Sequence, residues 1–311
     1  MGPLLSVSEL IKYYEVRRSV FSVAKDTVKA VDGVSFDLES GKTIGVVGES
    51  GSGKSTLARC ILLLERPDSG RVFFKGTDLL TAGRQELRRL RRQMQIIFQD
   101  PYSSLNPRMK VLEIITEPLV LHSAMKRKEA AAKAVEVLRS VGLDGDFLKK
   151  YPHEMSGGQR QRVAIGRALA TDPALIIADE PVSSLDVSIQ AQIVNLFLDI
   201  RERSGISMIF VSHDLNIVRF LSERILVLYR GNVVETGDSG EVFFNPLHPY
   251  TRMLINASKG EFSPAADAGG TPGDALCPYY DKCDKRSGRC AAETPRLEGP
   301  EEHRTACFFI S

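Results

Sequence analysis

One segment of the sequence has the residue types and the spacing of a phosphate-binding loop. The pattern Gly48-x-x-x-x-Gly53-Lys54-Ser55 lies between a short apolar run, Thr43–Val47, and a helical pattern that continues through Leu64. Glycines let backbone N–H groups turn inward onto phosphate oxygens, and the N-terminus of the following helix adds the positive end of a dipole. The lysine brings a charge to the β- and γ-phosphates, and the serine hydroxyl is a ligand for Mg²⁺. This segment predicts binding of a nucleoside triphosphate with magnesium.

Two adjacent carboxylates follow the apolar run Leu175–Ala178. The first, Asp179, ends a predicted strand on the side where α/β sheets bind their ligands, so that it can reach the metal ion. The second, Glu180, is placed to polarise an attacking water molecule. Alone, the pair would be two solvated acids at the end of a strand. Together with the phosphate loop, they predict hydrolysis.

A second helix start with anion-binding character follows Met155. The turn Ser156-Gly157-Gly158-Gln159 opens a helix rich in arginine and alanine, and helix N-termini attract negative charge. By itself this turn would be an ordinary helix cap. A phosphate loop alone is compatible with kinases, GTPases, helicases and motors. The position of this turn between the phosphate loop and the carboxylate pair reduces the number of compatible classes.

Alternating strands and helices position these segments, and such alternation is typical of an α/β fold with a parallel sheet covered by helices. The strands include Ala174–Ala178 and Ser207–Val211, and the helices include Gly158–Ala170 and Ser188–Arg203. From residue 111 to about 148 the periodicity is wholly helical, which indicates an insertion. After about Asn245, Pro, Gly, Asp and Cys dominate. We expect an appended segment there that adds nothing to the sheet.

The composition is that of a globular protein without a strong electrostatic bias. The 311 residues include 41 Lys and Arg against 39 Asp and Glu, which gives a net charge of +2. Such a balance lacks the basic footprint of a nucleic-acid partner. No apolar run approaches the roughly 20 residues of a membrane-spanning helix, and the first ten residues have no secretory signal. We expect a protein that stays in the cytosol and contacts membranes only peripherally.

As an ordered set, these motifs resemble those of the ATP-binding subunits of ABC transporters. The family's Walker A loop, Q-loop, signature, Walker B strand, D-loop and switch histidine correspond here to Gly48–Thr56, Gln99, Met155–Gln159, Leu175–Glu180, Ser183–Asp186 and His213. The match spans residues 1 to about 258. Met155 departs from the family's usual leucine, but the two side chains have similar volumes. The resemblance implies a P-loop NTPase core with an antiparallel β subdomain and a helical insertion.

The resemblance also implies a role for each motif residue. The implied nucleotide contacts are Gly48, Glu49, Ser50, Gly51, Ser52, Gly53, Lys54, Ser55, Thr56, Asp179 and Asp186. Ser55 and Gln99 are implied to contact Mg²⁺, Gln99 also the attacking water, and His213 the γ-phosphate. Glu180, Gln99 and His213 are thus the expected catalytic residues.

Two further contacts follow from the same resemblance. Tyr14 aligns best with the aromatic residue that stacks on adenine, with Tyr13 and Phe21 as rivals because the extra stretch Arg17–Thr27 obscures the register. The signature residues Ser156, Gly157, Gly158 and Gln159 serve the nucleotide bound by a partner subunit. The family therefore works as a dimer that closes on ATP.

Longer phrases resemble the peptide/nickel importer branch of the family, and they include Phe98–Pro107, Tyr151–Glu154 and Asn245–Thr251. The segment Gly53–Leu57 resembles the second of that branch's two unlike ATPase subunits. The resemblance implies a heterodimer with a paralogous ATPase, two membrane permeases and an extracytoplasmic solute-binding protein, at the cytoplasmic face of the inner membrane. It leaves open whether the solute is a dipeptide, an oligopeptide, nickel or an oligosaccharide.

Four cysteines crowd the last part of the chain, with the spacing Cys277-x5-Cys283-x6-Cys290-x16-Cys307. In a reducing compartment such a set favours a metal site over disulfides. Four thiolates suit either a [4Fe–4S] cluster or a tetrahedral zinc ion. Members of the branch carry a similar set that can hold a [4Fe–4S] cluster. The gaps are longer than the two-residue spacing of zinc knuckles, which favours iron, with zinc as the alternative and His303 as a candidate substitute ligand. Four unligated thiols or adventitious disulfides are the other interpretation of the same cysteines.

The predicted domains are an ABC nucleotide-binding domain over residues 1–245, with a helical subdomain at about 100–155, and an extension over 246–311. One rival is a soluble ABC ATPase that acts on nucleic acid or ribosomes, which would carry coiled-coil or zinc insertions or a second cassette. The second rival is a regulatory or scaffold subunit without catalytic activity. The complete set of motif residues argues against this second rival, since the chain has Lys54, Gln99, Asp179, Glu180 and His213.

Overall fold

The computed structural model describes residues 2–17, 25–123, 125–259 and 276–309. The chain divides into two compact units. The first unit comprises Met1–Leu38, Thr43–Leu80 and Val211–Ser311, and the second comprises Glu39–Lys42 and Thr81–Phe210.

An antiparallel sheet in the first unit has the strand order β2-β1-β4-β5. Its strands are β1 (Leu5–Arg17), β2 (Lys25–Leu38), β4 (Ser69–Phe74) and β5 (Thr77–Asp78). In β1, Leu5 and Val7 are buried, while the Ser6 side chain between them is more exposed. This period-two pattern matches the strand-like alternation of the sequence, because successive side chains of a strand face opposite sides.

A second group of strands in the first unit carries the phosphate loop. Its strands are β3 (Thr43–Val47), β9 (Arg224–Tyr229), β10 (Asn232–Asp238) and β11 (His303–Thr305). β3 pairs with β9 in parallel, β10 pairs with β9 antiparallel, and β11 pairs with β10 antiparallel. The expectation that the C-terminal segment adds nothing to the sheet was therefore wrong, since β11 pairs with β10 over three residues.

The helices of the first unit lie mostly in its C-terminal part. They are α1 (Lys54–Ile61), α8 (Leu215–Leu221), α9 (Ser239–Phe244), α10 (Pro249–Ser258) and α11 (Gly288–Ala292). A 3₁₀ turn, Tyr280–Lys282, lies between α10 and α11.

The second unit contains β6 (Met94–Ile97) and β7 (Leu175–Asp179), which pair in parallel. β8 (Ser207–Ser212) begins beside β7, because the Ser207 N–H donates to the Ala174 carbonyl oxygen at 3.1 Å. Every residue of β7 is buried. Strands buried on both faces read as continuous apolar runs, as the sequence does here.

The helices of the second unit include the expected insertion. They are α2 (Arg84–Arg92), α3 (Pro101–Ser104), α4 (Val111–Ser123), α5 (Arg127–Ser140), α6 (Gly157–Leu169) and α7 (Val187–Ser204). The helical pattern from residue 111 to 148 is thus divided into α4, α5 and the 3₁₀ turn Gly145–Lys149. In α5, Ala130, Ala134, Val137 and Leu138 are buried, a spacing that places them on one helix face.

None of the helices in the described part of the chain is long and apolar enough to cross a membrane.

Candidate active site

The phosphate loop lies between β3 and α1, in the position that the sequence predicts. Gly53 precedes α1 with a φ of 106°, and a Cβ atom there would lie 1.9 Å from the carbonyl oxygen of Ala30. A Cβ atom on Gly48 would lie 2.3 Å from the carbonyl oxygen of Leu228. Both positions require glycine, because the loop packs directly against neighbouring backbone. This close packing fixes the path of the backbone that must enclose a phosphate.

The side chain of Lys54 lies inside the loop that precedes it. It is only 4% exposed, and its Nζ donates to the carbonyl oxygens of Gly48 at 2.7 Å and Glu49 at 2.9 Å. A buried ammonium group needs such acceptors to offset the loss of hydration. The charge is thereby held at the place where a phosphate would bind.

Glu49 forms two contacts with the C-terminal part of the chain that sequence reasoning missed. Its backbone N–H donates to the Tyr250 hydroxyl at 2.7 Å, and its carboxylate lies 3.5 Å from Lys282 Nζ. Tyr250 lies in the phrase Asn245–Thr251, which resembles the peptide importer branch. No local pattern links it to a loop about 200 residues earlier, so the sequence alone could not have found this contact.

The predicted catalytic residues of the second unit include a connected pair. Gln99 follows β6, and its Nε2 donates to Glu180 Oε2 at 3.2 Å. Asp179 is buried at the end of β7. Glu180 has a φ of +47°, a conformation that costs a residue with a side chain about 1–3 kcal/mol. The turn after β7 thus holds the Glu180 carboxylate against Gln99, beside the predicted Mg²⁺ ligand.

The signature turn forms the N-terminus of α6. Ser156 Oγ accepts from the Gln159 N–H at 3.3 Å, while Gln159 Oε1 accepts from the Ser156 N–H at 3.0 Å. This reciprocal pair is a capping box, so the turn is also the helix cap that its sequence suggests. A Cβ atom on Gly158 would lie 2.7 Å from Ile189 Cγ2 in α7. Close packing of α6 on α7 therefore requires a glycine there.

Gly157 and Met155 of the signature segment also lie in closely packed surroundings. A Cβ atom on Gly157 would lie 3.3 Å from Leu185 Cδ2, next to Asp186, which precedes α7. Met155 is buried, and Arg160 Nη1 donates to its carbonyl oxygen at 2.7 Å. The methionine thus occupies a core position.

The two described candidates for adenine stacking have different neighbours. The Tyr14 hydroxyl donates to Glu65, and burial, together with that hydrogen bond, raises the pKa of Tyr14 to about 12. Tyr14 also interacts with Thr56 in the first turn of α1. The Tyr13 hydroxyl donates instead to Asp32. Tyr14 is therefore the one that lies beside the phosphate-loop helix, while Phe21 falls outside the described residues.

His213 is exposed and lies between the buried end of β8 and Asp214, the cap of α8. The next residue, Asp214, caps α8 by accepting from the Asn216 N–H at 2.8 Å. The cap leaves the imidazole at the surface of the first unit, the unit that also contains the phosphate loop.

The four C-terminal cysteines lie in one region of the first unit. Burial, together with the smaller effect of the charges of Cys290, Cys283 and Cys307, raises the pKa of Cys277 to about 11. The Cys277 N–H donates to the Cys290 carbonyl oxygen at 3.1 Å. However, no group of three or more His, Cys, Asp or Glu side chains in the described ranges is placed to hold a metal ion. The predicted metal centre is therefore not supported as a formed ligand set.

His303 is not a substitute ligand in this structure. Its Nε2 lies 2.7 Å from Glu235 Oε1, and the Glu235 side chain is completely buried. Glu235 also accepts from the backbone N–H groups of Leu247 at 2.9 Å and His248 at 2.8 Å. Residues 247, 248 and 303 of the C-terminal part are thereby fixed to β10.

Comparison with protein families gives two matches. A family model described as "ABC transporter" matches residues 31–183. A second model, described as "Oligopeptide/dipeptide transporter, C-terminal region", matches residues 234–290.

Curated relatives match almost the whole chain. The dipeptide transport ATP-binding protein DppF of Escherichia coli (strain K12) is 41% identical, with 99% of this chain and 95% of the relative covered. The di/tripeptide transport ATP-binding protein DppF of Pseudomonas aeruginosa (strain UCBPP-PA14) is also 41% identical, with 99% and 98% covered. A probable peptide ABC transporter ATP-binding protein of Sinorhizobium fredii is 44% identical, with 98% and 89% covered.

Solved structures share the fold. A dimeric ATP-binding cassette in a post-hydrolysis state with ADP and Pi has a TM-score of 0.66 and 32% identity, with 76% of this chain and 98% of that chain covered. The cbiO1 protein of Clostridium perfringens, part of the ABC transporter complex cbiONQ, has a TM-score of 0.67 and 26% identity, with 83% and 96% covered.

Proposed function

Because this chain belongs to the ABC transporter ATP-binding proteins, in the oligopeptide and dipeptide transporter branch, we propose a role for each residue of its site. The protein is the ATP-binding and ATP-hydrolysing subunit that energises an ABC importer. The proposal concerns how its residues perform that work. The contact between Gln99 and Glu180 beside Asp179 is the observation that carries the catalytic assignment.

In the proposed site, the backbone of Gly48–Thr56 and the Lys54 ammonium bind the phosphates. Ser55, Gln99 and Asp179 have the oxygen ligands that Mg²⁺ prefers, and the bound ion would neutralise charge on the phosphates. Glu180 orients and polarises the attacking water, and Gln99 holds its carboxylate in place. His213 contacts the γ-phosphate, and Tyr14 stacks on adenine.

A second subunit completes the proposed site. Ser156, Gly157, Gly158 and Gln159 bind the nucleotide of the partner, and Asp186 lies at the same interface. Two helix N-termini that face one triphosphate attract its charge from both sides. ATP would then stabilise the closed dimer, and hydrolysis would release it. The dimeric relative with ADP and Pi supports this arrangement, and we propose a paralogous ATPase as the partner in the importer.

The proposed membrane partners are two permeases, at the cytoplasmic face of the inner membrane, supplied by an extracytoplasmic binding protein. A groove between α4 and α5 is lined by apolar side chains, among them Met109, Leu112, Val120 and Leu121, and also by the charged side chains of Glu113, Glu117 and Arg127. Val120 is 41% and Leu121 57% exposed, so the groove offers apolar side chains to a permease segment. We propose di- or oligopeptides as the solute, as in the relatives' names. No nucleic-acid partner is proposed.

For the extension, we propose that Cys277, Cys283, Cys290 and Cys307 hold a [4Fe–4S] cluster, with zinc as the alternative. The number and spacing of the four cysteines support this proposal, and the Cys277 N–H donates to the Cys290 carbonyl oxygen at 3.1 Å. Binding of the metal would have to bring the thiols together, because no three of them are arranged as a ligand set in the described residues. Anaerobic purification followed by iron, sulfide and zinc assays tests it. Zinc without iron would contradict the cluster. The division of the chain near residue 245 likewise stays a prediction.

The test of the catalytic assignment is Glu180→Gln. This variant keeps the volume and the partner Gln99 but removes the charge that polarises water, so ATP should still bind while turnover falls by about 10²-fold or more. Closed dimers should accumulate with ATP, as measured by light scattering. Glu202→Gln, the same change at an exposed position on α7, is the matched control. Normal turnover in Glu180→Gln would contradict the assignment.

A further inference from the structure

The C-terminal extension packs directly on the phosphate loop. Tyr250, on α10, is completely buried, and its hydroxyl accepts the backbone N–H of Glu49 at 2.7 Å. A buried N–H without a partner destabilises a conformation by the full cost of its lost hydration. The Glu49 N–H is partly buried, so the Tyr250 hydroxyl stabilises the backbone conformation that brings this N–H towards α10.

The Glu49 backbone is also held at its carbonyl group, by the phosphate-loop lysine Lys54. The Glu49 carbonyl oxygen accepts from Lys54 Nζ at 2.9 Å, and the Gly48 carbonyl oxygen accepts from the same atom at 2.7 Å. Any rotation of the Glu49 backbone thus changes the acceptors around the Lys54 ammonium. Glu49 thus connects the Tyr250 hydroxyl to the Lys54 ammonium group, which is predicted to bind phosphate.

Two neighbouring aromatic rings, those of Tyr229 and Tyr279, fix the position of the Tyr250 ring. Its ring centroid lies 4.6 Å from that of Tyr229, at the end of β9, and 5.5 Å from that of Tyr279. The Tyr229 and Tyr279 centroids are 5.1 Å apart. Tilted and edge-to-face pairs at these distances are favourable. Tyr279 thus closes the pocket that holds Tyr250.

Two ion pairs join the segment Cys277–Cys283 to other parts of the first unit, one to the phosphate loop and one to the turn between β9 and β10. Lys282 Nζ lies 3.5 Å from the Glu49 carboxylate, and Asp281 lies 3.8 Å from the Arg230 guanidinium. Tyr279, Asp281 and Lys282 all lie between Cys277 and Cys283. A restraint on the thiols of Cys277 and Cys283 would therefore also restrain the Tyr279 ring, which packs on Tyr250, and the Lys282 ammonium group, which contacts Glu49.

We propose that Tyr250 is a positioning residue of the nucleotide site, and that Tyr279 and Lys282, which lie between Cys277 and Cys283, set nucleotide affinity by holding Tyr250 and Glu49 in place. The proposal rests on the function proposed above for the phosphate loop, and it does not depend on which metal the thiols bind. It gives the extension a regulatory role in ATP binding.

Tyr250→Phe tests the first part, because it removes the hydroxyl and keeps the packed ring. In the full-length protein, titration with a fluorescent ATP analogue and Mg²⁺ should show about two- to tenfold weaker binding, the range expected for one hydrogen bond. The KM for ATP should rise with kcat almost unchanged. Tyr280→Phe is the matched hydroxyl deletion, on a ring beside Arg286, and should leave both values unchanged. Unchanged affinity in Tyr250→Phe would overturn the positioning role.

The charge contact provides a second, independent test. Lys282→Glu places a carboxylate beside Glu49 and should weaken binding of the same analogue by about two- to fivefold at low salt, with a smaller effect at high salt. Lys259→Glu, at the exposed end of α10, is the matched control. Equal effects of the two substitutions would overturn the specific contact.

A double-mutant cycle tests the regulatory part. Cys277→Ser with Cys283→Ser should weaken nucleotide binding in the wild-type background and should have a smaller effect in Tyr250→Phe, because contacts that act through one another are not additive and only the contact between Lys282 and Glu49 remains to be lost. Fully additive losses, or no loss in either background, would overturn it. If additive losses or no losses are found while wild type and the control Tyr280→Phe bind and hydrolyse ATP normally, the role of the C-terminal segment is refuted and the proposed ATPase function is not. Failure of wild type to bind ATP would refute the proposed function.

Discussion

Acidification should weaken the C-terminal part of the first unit through one histidine. His248 is the residue before α10, it is only 2% exposed, and its Nδ1 accepts from the Tyr250 N–H at 3.1 Å. Burial lowers the pKa of His248 from 6.5 to about 4. The folded protein therefore keeps this imidazole neutral, in the form that can accept the hydrogen bond.

The sign and size of the effect follow from proton linkage. The unfolded chain binds a proton near pH 6.5 and the folded chain only near pH 4, so the stabilisation is complete above pH 6.5 and is lost as the pH falls towards 4. Between pH 7.5 and pH 5 the loss is about 2 kcal/mol, since one pKa unit corresponds to about 1.4 kcal/mol. Other groups add their own dependence on pH, so a matched variant must isolate this one.

His248→Asn supplies that comparison, because asparagine also caps helices but does not titrate in this range. Urea unfolding followed by circular dichroism at pH 7.5 and pH 5 gives the free energy of unfolding for both proteins. Wild type should lose about 2 kcal/mol more than the variant over this interval. Equal losses in the two proteins would refute the assignment of a buried neutral imidazole.

Two further substitutions test the packing around the site. Gly53→Ala places a Cβ atom 1.9 Å from the Ala30 carbonyl oxygen and should abolish binding of the fluorescent ATP analogue. The control Gly83→Ala should bind the analogue normally, because a Cβ atom there meets no atom within 4 Å. Retained binding in Gly53→Ala would contradict the required backbone path. Glu235→Ala removes the acceptor of two backbone N–H groups and the partner of His303, so the free energy of unfolding should fall by about 3–5 kcal/mol. Glu235→Gln should lose less, and equal losses would show that the carboxylate is not the relevant group.

The parts of the site that are local in sequence could be predicted, because their geometry is encoded within a few residues. The phosphate loop requires glycine at positions 48 and 53 for close backbone packing, and the apolar run before Asp179 forms β7, in which every residue is buried. The capping box of Ser156 and Gln159 likewise needs only three residues of spacing. Short-range stereochemistry determines each of these features.

Long-range contacts of short segments could not be predicted. β11 is three residues long and has no periodicity of its own, yet it pairs with β10. His303 is bound by Glu235, 68 residues away, and Tyr250 meets a loop 201 residues away. The sequence suggested an appended tail because polar and small residues dominate there. Tertiary pairing, not local propensity, determines the structure of that tail.

The most direct test of the account is the structure of the assembled importer with the Glu180→Gln substitution, ATP and Mg²⁺. The account predicts that Lys54 and the signature turn of the partner subunit contact the same triphosphate from opposite sides. A closed complex in which that turn points away from every bound ATP would contradict it.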